Sequence, residues 1–118
     1  MKNFLAVYIG SASSPGRSNW DKLDEATRKD RMNAGMKAWG NWMNTHKDSV
    51  VATGTPLGKT KRTSSGGVAD TCNNMTGYVV VQADTHEEAA RMFENHPHFA
   101  IFPGDSVEIM ECLPIPGQ

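Results

Sequence analysis

Between residues 21 and 46 the apolar side chains step by four, three, four and three: Met32, Met36, Trp39, Met43 and then His46, with Gly35 and Trp42 beside them. That spacing is one stripe of an amphipathic helix, and such a helix needs a layer to pack on. Arg28, Lys29, Lys37 and Asn41 fall on the opposite side and suit solvent. Two tryptophans and three methionines make a heavy, adaptable packing face. Gly35 and Gly40 inside the pattern each cost roughly 1 kcal/mol relative to alanine; close packing against a sheet would explain them.

On either side of this helix the period drops to two. Residues 3–9 read as a strand with Leu5, Val7 and Ile9 on one face and Phe4, Ala6 and Tyr8 on the other. Both faces are mostly apolar, so both should be covered. The run is short and breaks at Gly10 without a convincing cleavage site, so a first strand fits it better than a signal peptide. Residues 10–16 form a Ser/Pro/Gly loop. Residues 50–53 are a short second strand, and 78–83, centred on Val79, Val80 and Val81, a third.

Thr85, followed three residues on by Glu88, is a capping box that opens a second helix. Glu87 and Glu88 suit its positive end, and Ala89, Met92, Phe93 and His96 form its inner stripe. In the last strand, 106–113, Val107, Ile109 and Glu111 alternate with Glu108, Met110 and Cys112. Pro114, Pro116 and Gly117 end it.

The order is βαββαβ, with a long hairpin-like excursion over residues 54–77. That is the ferredoxin-like pattern: an α+β domain with an antiparallel sheet and helices on one face. A chain of 118 residues is one domain, 1–118. The second sheet face carries Phe4, Ala6 and Tyr8 or their neighbours, a set too apolar to face water. A second copy would cover it in a two-fold dimer that closes an α/β barrel, and a gap between the sheets would be a ligand cavity.

Charge narrows the function. A net charge of −1 and a pI near 6.4 argue against a nucleic-acid partner. Nothing approaches the roughly 18 apolar residues of a membrane span. Two cysteines, Cys72 and Cys112, without Cys-x-x-Cys spacing, fit reduced thiols in a cytoplasmic protein. Gly54-Thr-Pro-Leu-Gly58-Lys59-Thr60 is one residue short of a phosphate loop and lacks the helix that must follow. Lys59, Lys61 and Arg62 cluster here, and Lys59 or Arg62 could bind an acidic small molecule.

The candidate site is residues 96–105. Pro97 forces His96 into extended geometry; in extended chain His96 and His98 share a side and could face one pocket. Pro103-Gly104 turns the chain and Asp105 enters the last strand. Three functions stay open. In an enzyme, His98 would move a proton and Asp105 would orient it. Tyr8 and Asn74 would then hold substrate oxygens, Lys59 would favour an acidic or phenolic substrate, and His96 would contact it. In a non-catalytic binding or regulatory module, the histidines recognise a ligand or simply pack. In a metal site, His96 and His98 supply two ligands, but a third at fixed spacing is missing. No cofactor is expected, and the expected partners are a second copy and a small molecule.

The chain resembles the YCII-related, DGPF-type family of the dimeric α/β-barrel group along essentially its whole length. The residues that carry the resemblance begin with the first strand, from Phe4 to Ile9, Gly54-Thr-Pro-Leu-Gly58, and Asp70-Thr-Cys-Asn-Asn-Met-Thr-Gly77-Tyr78. They continue through Ala83-Asp84-Thr85-His86-Glu87-Glu88-Ala89, His96-Pro97-His98 and Gly104-Asp105-Ser-Val-Glu-Ile109. Where relatives read Asp-Gly-Pro-Phe, this chain has Asp70-Thr71-Cys72-Asn73, so no role is carried over from that motif. The resemblance implies a dimer with a cleft, and a His/Asp pair as acid–base candidates.

Overall fold

β1 (Lys2–Ile9) is the strand on which the sheet is assembled. In the computed structural model, which describes residues 1–14 and 16–117, it pairs antiparallel with β5 (Met75–Ala83) on one side and β6 (Ser106–Glu111) on the other. β2 (Val50–Ala52) adds to the far edge of β5, giving the order β2-β5-β1-β6. Pro15, part of the expected 10–16 loop, lies outside the described residues.

Register decides which face is covered. Phe4 opposes Val81 and Ala6 opposes Val79, and these four side chains, with Tyr8 and Ala83, form the core with Trp42, Ala89 and Phe93. Phe4, Val79 and Val81 are sealed from solvent, each such burial contributing roughly 1.5–3 kcal/mol. Phe4, Ala6 and Tyr8 therefore face the helices. Their neighbours form the other face: Leu5 opposite Val80 and Met110, and the buried Val7 opposite Tyr78 and Glu108.

The long helix α2 (Glu25–Thr45) begins later than its stripe predicts. Asp24 caps it, accepting the Thr27 amide at 2.9 Å, and hydrogen bonds from the Thr27 side chain and backbone hold the Asp24 carboxyl below its usual range. Before it lies a helix missed in the sequence, α1 (Arg17–Asp21); five residues are too few to show a period. Arg28 reaches back to the carbonyls of Leu23 and Asp21 at 2.8 and 3.2 Å and fastens the link.

The predicted stripe holds only in its second half. Trp42 and Gly35 are buried and Trp39 and Met43 pack on the core, but Met32 and Met36 are 47% and 67% exposed. From residue 25 to 34 only Arg28 is even half-buried, because the helix runs past the core. Gly35 is a close approach, though to Phe102 rather than the sheet: a Cβ there would lie 2.5 Å from the ring. Gly40 faces open space.

The excursion holds a hairpin, β3 (Thr60–Ser64) and β4 (Gly67–Thr71), turning at Ser65-Gly66. All its strand residues but Thr60 are exposed. It lifts the radius of gyration to 16.3 Å, where a compact chain of this length has about 13.5 Å. After β5 come α3 (His86–Arg91) and α4 (Pro97–Ala100). Thr85 caps α3 through the Glu88 amide, at 3.1 Å, as its sequence predicts. No described helix is long and apolar enough to cross a membrane.

Candidate functional site

Pro97 does two things at once. It keeps His96 extended, at φ −61° and ψ 140°, as expected. It also occupies the first turn of α4, where its fixed φ and missing N–H cost nothing. The chain after it is therefore helical, and the expected extended run that would aim both histidines into one pocket does not form. His96 becomes the helix cap instead: its Nδ1 accepts the His98 backbone N–H at 3.0 Å.

His96 has no exposed surface. Trp39 meets it edge-on with ring centroids 4.6 Å apart, Trp42 lies at 5.0 Å, Tyr8 at 5.1 Å and Phe93 at 5.8 Å. Its Nε2 lies 3.4 Å from the Tyr8 hydroxyl. Burial, then the nearby His98 and His46 rings, pull its pKa down to about 4, so it is neutral near pH 7. Burial likewise lowers His46 and pushes the Tyr8 phenol up.

His98 is 8% exposed. Its Nε2–H donates to the Ile9 carbonyl at 2.8 Å, and the backbone of Gly104 presses against the ring so closely that a Cβ there would overlap it. Burial lowers its pKa, opposed by the Ile9 bond and the Asp105 charge. Asp105 itself is exposed. Its amide donates to the same Ile9 carbonyl at 2.9 Å, and it borders a smaller hollow of about 340 Å³ beside Phe93, Glu94 and Phe99.

The larger hollow, about 570 Å³, opens between α2, β1 and the strand edge. Tyr8 is its inner wall; Met36, Trp39 and Gly40 come from α2, and Phe102 from the loop after α4. The far wall is residues 53–56 with residues 76–78 of β5. That wall includes part of the glycine-containing stretch that falls short of a phosphate loop, here laid along β5: Leu57 N–H donates to the Thr76 carbonyl at 3.0 Å and Tyr78 N–H to the Thr55 carbonyl at 3.3 Å. Gly54 makes this possible, at φ +67° and so near the Tyr78 carbonyl that no Cβ would fit.

No residue lining this hollow carries a charge. Of the expected site residues, Tyr8 alone lines it. His96 lies behind Tyr8, and His98 packs on the same ring with centroids 5.2 Å apart. Lys59 and Asn74 are exposed and border neither hollow; Asn74 offers its backbone carbonyl to the Gly10 amide. Both nitrogens of His96 face protein partners, Nδ1 the His98 amide and Nε2 the Tyr8 hydroxyl. Among the described residues no three His, Cys, Asp or Glu side chains converge to hold a metal.

Sequence reasoning missed Met36, Gly40 and residues 53–56 as walls; Phe102 lay inside the expected 96–105 stretch but was not singled out. One signal was available at Gly40: a glycine inside a helix with no neighbour to accommodate leaves room beside Trp39.

No family model and no curated protein sequence matches the chain. Among solved structures, it is similar to 5-chloro-2-hydroxyhydroquinone dehydrochlorinase from Burkholderia phenoliruptrix AC1100, determined with 2,5-dihydroxybenzoquinone. The two share 15% identity over 94% of this chain and 93% of that one, with a TM-score of 0.53. The likeness is one of fold: a small α+β domain with an antiparallel sheet.

Proposed function

We propose that this protein binds a small, flat, uncharged, oxygen-bearing molecule in the larger hollow and acts on it, with Tyr8 touching the reacting oxygen. The observation that carries this is the wall: an aromatic, uncharged cavity whose inner side ends in a buried phenol backed by a neutral imidazole. Such cavities with few polar groups are typical small-molecule sites. A phenol donor in a poorly hydrated pocket stabilises charge that develops on a substrate oxygen. His96 and His98 then act through Tyr8 rather than on the substrate, and Asp105 acts on His98 only through its charge.

The solved neighbour's quinone ligand is a small flat ring bearing oxygens, which supports the same ligand class. The strand order β2-β5-β1-β6 supports the ferredoxin-like, YCII-related assignment. The face opposite the core supports the homodimer: Leu5, Val80 and Met110 lie on it, Met110 44% exposed, and a second copy would cover them. Sedimentation of a stable monomer at micromolar concentration sinks the dimer.

The test of function is a panel of hydroxylated aromatic and quinoid compounds, with binding followed by NMR and turnover by absorbance. Shifts at Trp39 and Tyr8, lost in Tyr8→Phe, are expected. Binding centred on His98 and Asp105, indifferent to Tyr8→Phe, refutes the assignment. Specific binding without turnover of any compound favours the second function, a ligand-binding module.

A further inference from the structure

We infer that the hollow selects its ligand by hydrogen-bond polarity: His96 fixes Tyr8 as a donor, so the favoured ligand presents an acceptor oxygen, a carbonyl on an uncharged flat skeleton. This deepens the site proposed above and rests on it.

The cause begins in the backbone. Because Pro97 starts α4, His96 is its cap, and the ring Nδ1 accepts the His98 amide proton at 3.0 Å. A ring nitrogen that accepts carries no proton, so the neutral imidazole holds its single proton on Nε2. Nε2 is the atom 3.4 Å from the Tyr8 hydroxyl. The N–H therefore donates and the phenol oxygen accepts. The phenol's own proton is left over, on a residue that lines the hollow.

The opposite polarity needs Tyr8 to donate to Nε2. The neutral ring would then carry its proton on Nδ1, facing the His98 N–H, and two donors would meet in the interior at a cost of about 1–3 kcal/mol for the stranded amide. Trp39, Trp42 and Phe93 enclose the ring and oppose a flip. The backbone turn thus decides, through one imidazole, which way the pocket's phenol points its proton. His96 is a positioning residue here, since it cannot touch the ligand.

The first measurement needs no ligand. Nitrogen-15 NMR of the full chain at pH 7 should show His96 with a bare, pyridine-type Nδ1 and a protonated Nε2, and Tyr8→Phe should shift Nε2 while leaving Nδ1 bare. A protonated Nδ1 overturns the inference and leaves the site standing. The second compares α-tetralone with tetralin, the same skeleton without the oxygen. The ketone should bind about tenfold more tightly, equivalent to about 1.4 kcal/mol, and Tyr8→Phe should abolish the difference. Equal binding of both overturns the polarity selection but not the cavity; binding of neither overturns both.

Discussion

The Nε2–H of His98 and the backbone N–H of Asp105 converge on one acceptor, the Ile9 carbonyl, at 2.8 and 2.9 Å. This joint pins the loop after α4 to the end of β1, at the residue next to Tyr8, which turns towards the helices. His98 is thus part of the frame that holds Tyr8.

Replacing His98 with alanine should cost stability first. The substitution empties a nearly buried site and deletes one of two bonds to Ile9, so about 2–4 kcal/mol should be lost in urea unfolding. Ligand affinity at saturating folded protein should fall less than in Tyr8→Phe. A His98→Ala protein of unchanged stability that loses all binding would return His98 to direct contact.

Acid should weaken the fold through His96. Its native pKa is about 4, against 6.5 for the unfolded chain. Above pH 6.5 both states are neutral and the group is silent. As pH falls from 6.5 towards 4, the unfolded chain takes the proton and the native one does not, so stability drops by up to roughly 3 kcal/mol. His46 and His98, both also lowered, add in the same direction. Thermal melts from pH 7.5 to 4.5 should show the decline, and His96→Phe should make it shallower, leaving the share of His46 and His98.

The two helix glycines should respond oppositely. In Gly35→Ala the new methyl meets the Phe102 ring, so Phe102 must shift, costing about 1–3 kcal/mol and altering a wall of the hollow. Gly40→Ala meets nothing and should stabilise the helix by about 0.5–1 kcal/mol. Paired melting curves check both, and equal effects would refute the packing described for Phe102.

The hairpin should exchange its amide hydrogens quickly. β3 and β4 bury almost nothing, and a lone two-stranded hairpin is marginal in water. Amides of β1 and β5 should be protected through the global unfolding free energy, and those of residues 60–71 by a small fraction of it. Protection of the hairpin equal to that of β1 would mean that something covers it in solution.

The strands were legible because alternation survives in them: β1, β5 and β6 lie within a few residues of where period two puts them. α2 was legible as a helix, but Met32 and Met36 were not legible as exposed, because nothing local says that a helix outruns the layer beneath it. Tyr8, named from the sequence as a substrate contact, does line the larger hollow. His96 and His98 were read as facing one pocket because Pro97 was taken as a breaker, and the same fixed φ also starts a helix. Whether an imidazole faces a cavity or a core depends on Trp39 and Trp42, some sixty residues away in sequence, and no local pattern carries that.

Each of the three tryptophans lines the hollow, packs on one of its walls, or packs on the His96 ring behind it. Trp39 forms part of its wall, Trp20 packs on Phe102 at 5.9 Å, and Trp42 meets the His96 ring edge-on at 5.0 Å. The protein therefore carries its own optical gauge: intrinsic emission should change colour and intensity when a flat ring seats against Trp39, so candidate compounds can be sorted in a cuvette without any label.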